Sequence, residues 1–127
     1  MKKEMYTLEY PLNNASAHLL WTAVGTPLGL AEWFADGVTV NGDEYTFSWE
    51  DHEQTALLKH LKTGKHICFQ WEEDAGTDTF FQMELQTQDL TGNVALVITD
   101  FALPEDKEDA VLLWDNQVET LKRKNGI

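Results

Sequence analysis

One segment, Pro104–Gly126 (PEDKEDAVLLWDNQVETLKRKNG), has the features of a long α-helix. Pro104 suits a first helical position, where a missing N–H costs nothing. Acidic residues crowd the first turns and basic residues at 122–124 crowd the last one, as the helix dipole favours. Asn125-Gly126 then provides a left-handed stop. A helix of about 20 residues rises about 30 Å and can cross a small domain, so we expect the rest of the chain to wrap it.

The same segment has an apolar stripe that predicts which side of the helix is buried. Residues at i, i+3, i+7 and i+10 lie on one helix face, and here they are Val111, Trp114, Val118 and Leu121. Leu112 and Leu113 lie off the stripe, so the first half of the helix is apolar nearly all round.

Most of the remaining sequence alternates between apolar and polar residues, which is typical of strands. A strand at 5–10 comes first, and Asn13, Asn14 and Ser16 then offer helix caps. Two short helices follow, one stopped by Gly25 and one restarted by Thr26-Pro27. Six strands are predicted next, at 38–40, 44–50, 54–61, 65–71, 79–87 and 94–101. Because short turns join neighbouring antiparallel strands, the sequence predicts an α+β fold with helices on one face of a sheet.

Charge and length limit the functions that the chain can have. The 127 residues carry nine Lys+Arg against 22 Asp+Glu, a formal net charge of −13. Such a field repels phosphate backbones and anionic lipid surfaces, so we expect no nucleic-acid or membrane partner. Cys68 is the single cysteine, and neither a signal peptide nor a membrane span is evident. These features predict one domain over residues 1–127 in the cytoplasm.

A few residues are candidates for chemistry. His60 and His66 could face each other across a turn at Thr63-Gly64, but a structural zinc ion prefers four ligands, so we expect no metal site and no cofactor. Cys68 shares a strand side with His66, without an evident third group to orient a catalytic pair. Asp100 sits inside the apolar strand predicted at 94–101, and the favoured interpretation is that it already lies at the strand's end in water. A buried Asp100 would instead be a candidate acid or base.

Two motifs near the ends of the chain resemble those of one known superfamily. The first combines Leu20-Trp21-Thr22-Ala23, the bend at Thr26-Pro27, and Leu30-Ala31-Glu32-Trp33-Phe34. The second is Trp114-x-x-x-Val118-x-x-Leu121-Lys122. Together they resemble the START-like, or birch-pollen-allergen-like (SRPBCC), superfamily, and most of all the bacterial relatives of the activator of the heat-shock chaperone ATPase. The Thr-Pro bend is one residue tighter than the common form of that motif.

The resemblance implies a helix-grip fold, in which a curved antiparallel sheet of six to seven strands closes around the long C-terminal helix. Two short helices would follow the first strand. Many relatives keep an apolar cavity between sheet and helix for lipids or other small apolar molecules. Others have little cavity and act through partner proteins, because a fold alone does not determine function.

Three functions therefore stay open. The leading hypothesis is a domain that binds a small apolar ligand without catalysis, as a monomer or homodimer. The second is a protein-interaction module of the chaperone-cofactor kind, and the third is an enzyme similar to the polyketide cyclases. If a cavity exists, Trp114 is expected among its walls, within a set that could equally be plain core: Trp33, Phe47, Trp49, Phe69, Trp71, Phe81, Met83, Trp114 and Val118.

Overall fold

A computed structural model describes residues 2–13, 15–88 and 90–127 of the chain. Its strands are β1 (Glu4–Pro11), β2 (Gly37–Asn41), β3 (Glu44–Ser48), β4 (Glu53–Lys62), β5 (His66–Trp71), β6 (Phe81–Thr87) and β7 (Val94–Ala102). Its helices are α1 (Ala17–Gly25), α2 (Pro27–Trp33) and α3 (Lys107–Asn125). The predicted order of strand, two helices, six strands and a long helix is confirmed.

The seven strands form one curved antiparallel sheet in the order β1-β7-β6-β5-β4-β3-β2. From β2 to β7, each strand lies beside the one that precedes it in the sequence. The segment 54–61 is a strand, as predicted, and pairs with β3 and β5. β1 closes the far edge by pairing with β7, with Tyr6 opposite Asp100. This pairing brings a residue from the start of the chain beside one from its end.

The two short helices pack through a tight corner at Thr26. The Thr26 hydroxyl donates to the carbonyl oxygen of Thr22 (2.6 Å) and accepts from the amide of Gly29 (3.0 Å). It therefore satisfies groups at the end of α1 and at the start of α2. Ser16 caps α1 by accepting from Leu19 (3.1 Å), whereas Asn14 lies outside the described residues.

α3 begins later than predicted. Pro104–Asp106 forms a 3₁₀ turn and the α-helix starts at Lys107, so 104–124 is not one uninterrupted α-helix. Gly126 ends the helix with φ of 68°, the left-handed conformation expected there. Leu112 and Leu113 are 54% and 59% exposed, so the apolar first half of α3 is covered on one side only.

The core lies between the concave face of the sheet and the three helices. α3 contributes its predicted stripe, of which Trp114, Val118 and Leu121 are buried. The largest fully buried side chains of the sheet are aromatic or aliphatic: Phe47, Phe69, Phe81, Ile67, Met83, Leu96 and Ile98. Phe34, just after α2, touches the rings of Phe47, Phe81 and Trp114 at centroid distances of 5.0, 5.7 and 5.6 Å. No helix of the described residues is long and apolar enough to cross a membrane.

The close packing of α1 on α2 predicts that Gly29→Ala lowers stability, although alanine is the better helix former. A Cβ on Gly29 would lie 2.0 Å from the carbonyl oxygen of Thr22 and 2.8 Å from the Cα of Ala23, both backbone atoms. Gly29→Ala should therefore destabilise the protein by about 3 kcal/mol through overpacking. Helix propensity alone would instead stabilise it by about 1 kcal/mol. Urea denaturation measures the difference, with Leu28→Ala at an 83% exposed neighbour as control. An unchanged or raised midpoint for Gly29→Ala would contradict the close packing of α1 on α2.

Candidate functional site

A small cavity of about 210 Å³ opens between α3 and the adjoining edge of the concave face. Its aromatic walls come from Phe34, Trp49, Trp71, Phe81 and Trp114. The first of these follows α2, three stand on or beside strands, and the last stands on α3. Phe34, Phe81 and Trp114 are buried, while Trp49 and Trp71 keep part of their surface exposed.

The five rings form a closed circuit around this aromatic pocket. The centroid distances are 5.9 Å from Trp49 to Phe34, 5.6 Å from Phe34 to Trp114 and 6.4 Å from Trp114 to Phe81. The circuit closes with 4.7 Å from Phe81 to Trp71 and 6.5 Å from Trp71 back to Trp49. Each ring thus contacts the next at the spacing that favours aromatic pairs.

Hydrogen bonds fix the orientation of the rings. The carbonyl oxygen of Phe34 accepts from Trp49 Nε1 (3.0 Å) and from Gln117 Nε2 (2.8 Å). Trp114 Nε1 donates to Asp100 Oδ2 (2.9 Å). Breaking these hydrogen bonds would leave polar atoms without a partner, which costs free energy. The bonds therefore hold the rings in place without a ligand.

Asp100 is the charged residue in the pocket wall, and its position differs from the expectation of a solvated strand end. It lies inside β7, with its carboxylate accepting from Trp114 Nε1, from the Tyr6 hydroxyl (3.3 Å) and from its neighbour's amide, Phe101 N (2.7 Å). Burial raises the pKa of Asp100, while these donors and, more weakly, the charge of Lys3 oppose the increase. The interpretation of Asp100 as a wet strand end is therefore wrong, because the pairing with β1 encloses it.

The mouth of the pocket carries two further polar side chains. His52 stacks on Trp49 at 4.9 Å between centroids, and its Nδ1 lies 2.7 Å from Asp51 Oδ1. This contact lowers the pKa of Asp51, which is exposed. Gln54 donates to Glu73 Oε1 at 3.3 Å. Both groups border the cavity.

The structure brings together only part of the predicted set of site residues. Trp49, Trp71, Phe81 and Trp114 line the pocket. Other members are core side chains outside its walls, and they are Trp33, Phe47, Phe69, Met83 and Val118. Sequence reasoning did not select the wall residues Phe34, His52, Gln54 and Gln117. Gln117 could have been found, because it lies three residues after Trp114 on the same helix face.

The family of the chain follows from comparison with known proteins. A family model for the START-like superfamily domain matches residues 1–127. The chain belongs to the START-like superfamily. The solution NMR structure of BfR322 from Bacteroides fragilis is 38% identical, covers 98% of this chain and 92% of its own, and has a TM-score of 0.69. The search of curated proteins found no significant match.

More distant solved structures share the START-like fold. The Aha1 dimer from Colwellia psychrerythraea has a TM-score of 0.76 at 16% identity, covering 94% of this chain and 93% of that chain. DynU16, from the dynemicin biosynthetic locus, has a TM-score of 0.78 at 16% identity and covers 96% of this chain. This START-like chain spans 47% of DynU16. At such identities the likeness concerns the fold alone.

The other candidate residues of this START-like chain lie on the opposite face of the sheet. His60 and His66 stack at 4.7 Å between centroids with ring nitrogens in hydrogen-bond contact, so they meet as predicted. Within the described residues no group of three or more metal-ligating side chains surrounds them. Burial raises the pKa of the Cys68 thiol, which disfavours the reactive thiolate.

A larger cleft lies apart from the aromatic pocket. It has a volume of about 660 Å³, is open to solvent, and runs between Lys2, Lys3 and the loop at 74–79. Phe101 is its only aromatic wall residue, and none of the predicted site residues borders it. The smaller aromatic pocket is therefore the better candidate for specific binding.

The raised pKa of Asp100 predicts how stability depends on pH. An acid that titrates at higher pH in the folded state takes up its proton before the unfolded chain does. The stabilisation that Asp100 contributes is therefore fully present below its ordinary pKa near 3.8. It is lost as the pH rises through the pKa of Asp100 in the folded protein. We expect the unfolding free energy of wild type, relative to Asp100→Asn, to increase as pH falls from 7 towards 4.

Urea denaturation of both proteins across this pH range measures the difference, and the other carboxylates cancel in it. Asp115→Asn serves as the control, since Asp115 also accepts from a tyrosine hydroxyl (Tyr10, 2.6 Å) but lies outside the pocket wall. A wild-type stability that decreases relative to Asp100→Asn on acidification would contradict the enclosure of Asp100.

Proposed function

We propose that this START-like domain binds a small, predominantly apolar molecule in the aromatic pocket and does not transform it. The closed circuit of five rings around a cavity carries the proposal. A cavity with mostly apolar walls and a few oriented polar groups is the usual form of a small-molecule site. The walls are already hydrogen-bonded in position, so little ordering entropy opposes binding.

The size of the pocket restricts the ligand. Its 210 Å³ is below the roughly 300–1,000 Å³ of typical ligand sites. The space that a larger cavity would occupy is filled by side chains that are fully buried, among them Phe47, Phe69 and Met83. The ligand is therefore a compact molecule with one or two rings or an equivalent branched group, and is smaller than a sterol or a polyketide.

The polar groups of the pocket favour binding over catalysis. Asp100 already accepts three hydrogen bonds, and the Gln117 amide donates to a backbone carbonyl. A general base needs a lone pair directed at the proton it removes, and a candidate pair also needs an orienting group. His52 has a carboxylate partner in Asp51, but this pair is exposed at the mouth and stacks along Trp49. These contacts do not favour the cyclase-like alternative.

The indole N–H signals of the five tryptophans provide a direct test. Titrating the ¹⁵N-labelled protein with indole, a neutral probe of suitable size, should shift the signals of Trp49, Trp71 and Trp114 at millimolar concentrations. Trp21 and Trp33 lie outside the aromatic pocket and serve as internal controls. Uniform shifts, or none, would contradict binding in the pocket.

A pair of variants on α3 makes the test specific. Ala110 borders the pocket, so Ala110→Leu should fill it and weaken indole binding at least fivefold, with little loss of stability. Leu112 is exposed on the same helix and lies outside the pocket wall, so Leu112→Ala should bind indole as wild type does. Equal effects of both substitutions would place the binding elsewhere.

A second candidate function is interaction with a protein, and we propose a second copy of this chain as the partner. Leu112 and Leu113 present adjacent exposed apolar surface on α3. Large apolar side chains exposed near one another on a surface are typical of interaction sites. The Aha1 protein of Colwellia psychrerythraea, which shares the fold, is a dimer.

Sedimentation velocity tests this proposal. If α3 pairs with its copy, wild type sediments as a dimer and Leu112→Glu as a monomer, because two carboxylates would be buried in the interface. Leu28→Glu, at an exposed leucine on α2, should leave the dimer intact. A monomeric wild type at high micromolar concentration would exclude self-association through this face.

A further inference from the structure

The aromatic pocket has an unusual charge balance. Five aromatic rings and one carboxylate, that of Asp100, contribute to its wall, and none of the described residues that line it is lysine or arginine. The chain as a whole carries a net charge of −13. The pocket therefore lies in a negative field, and no lysine or arginine among its described lining residues balances the half-buried acid.

Aromatic rings arranged around a cavity attract cations. The face of each ring carries partial negative charge, and Trp provides the strongest attraction, followed by Tyr and Phe. Three of the five rings here belong to Trp49, Trp71 and Trp114. Neighbouring rings meet at angles from 27° for Trp71–Phe81 to 66° for Phe34–Trp49, so the rings that border the cavity are not all parallel.

We propose that the ligand of this pocket is a small organic cation, an alkylated ammonium ion, held by the aromatic rings with Asp100 as its counter-ion. This inference rests on the proposed function and specifies the chemistry of the ligand. Asp100 is then the residue that determines specificity, and the rings provide most of the contact surface.

The hydrogen bonds of Asp100 distinguish an ammonium ion from other cations. Oδ2 accepts from Tyr6 and Trp114 and Oδ1 accepts from Phe101, so the carboxylate does not offer two free oxygens for the parallel bonds of a guanidinium group. A metal ion would require several ligands, and no suitable group of three occurs among the described residues. An alkylated ammonium ion needs only the field of the carboxylate and the faces of the rings.

The surroundings of Asp100 support the same chemistry. Burial raises its pKa because the charged form loses solvation, and none of its three hydrogen-bond donors carries a full positive charge. Lys3 is the cation that acts on it, weakly, and the Lys3 amine is engaged with Asp74 at 3.2 Å. The pKa of Tyr6 is also raised, so its hydroxyl stays a donor to Asp100. A bound ammonium ion would supply the missing charge.

Choline and its uncharged carbon isostere, 3,3-dimethyl-1-butanol, test the inference in the wild-type protein. The two molecules have nearly the same shape and differ in charge. Tryptophan N–H shifts should report roughly tenfold or tighter binding of choline, at the signals of Trp49, Trp71 and Trp114. Equal or tighter binding of the isostere overturns the inference while leaving the proposed function intact. Failure of indole, choline and the isostere alike overturns the proposed function and the inference with it.

The Asp100→Asn variant tests whether the carboxylate causes the preference for choline over its isostere. It should bring the affinity for choline down to that for the isostere, with the isostere itself little affected. Asp115→Asn removes a comparable tyrosine-bonded carboxylate outside the pocket and should keep the preference. A full preference for choline in Asp100→Asn would overturn the role of Asp100, and the wild-type comparison decides the cation proposal if this variant fails to fold.

Phosphocholine distinguishes the source of the cation. A free ammonium ligand predicts weaker binding of phosphocholine than of choline, because the acidic protein repels the phosphate. Equal or tighter binding of phosphocholine would identify a phospholipid headgroup as the source. Both results support an ammonium ion as the recognised group.

Discussion

The hydrogen bond from Trp114 Nε1 to Asp100 Oδ2 joins the long helix to the sheet that surrounds it. It fixes how far α3 is rotated over β7, because a buried indole N–H and a half-buried carboxylate would each be costly without the other. Tyr6 donates to the same oxygen from β1, so three elements from both ends of the chain meet at one carboxylate. The wall of the aromatic pocket is a consequence of this arrangement, since Trp114 and Asp100 both border it.

Phe34 has the corresponding role on the opposite side of the pocket. Its ring packs against the rings of Phe81 and Trp114, and its carbonyl oxygen binds Trp49 and Gln117. One residue after α2 therefore ties the corner of the two short helices to β3, β6 and α3. That corner is itself held by backbone contacts at Gly29, so the position of the pocket wall depends on packing at the α1–α2 turn.

The fold could be predicted from local patterns, whereas the site depended on contacts distant in sequence. Alternating residues, turn signals and one apolar run predicted the seven strands, and the stripe of Trp114, Val118 and Leu121 predicted the buried side of α3. The same patterns could not separate wall from core, because Phe81 and Phe69 have the same apolar character. They placed Asp100 in water, since only the pairing of β1 with β7 encloses it.

The volume of the pocket is set by the side chains behind it. In a helix-grip fold, the space between sheet and helix is shared between core packing and ligand. Here Phe47, Phe69 and Met83 are fully buried and take up its depth, which leaves a shallow pocket at one end of α3. Deepening the pocket would create cavities that cost stability, whereas changing the partly exposed Trp49 and Trp71 alters its mouth at a smaller cost. A START-like domain of this kind can therefore vary the rim of its pocket while the core that supports the rim stays filled.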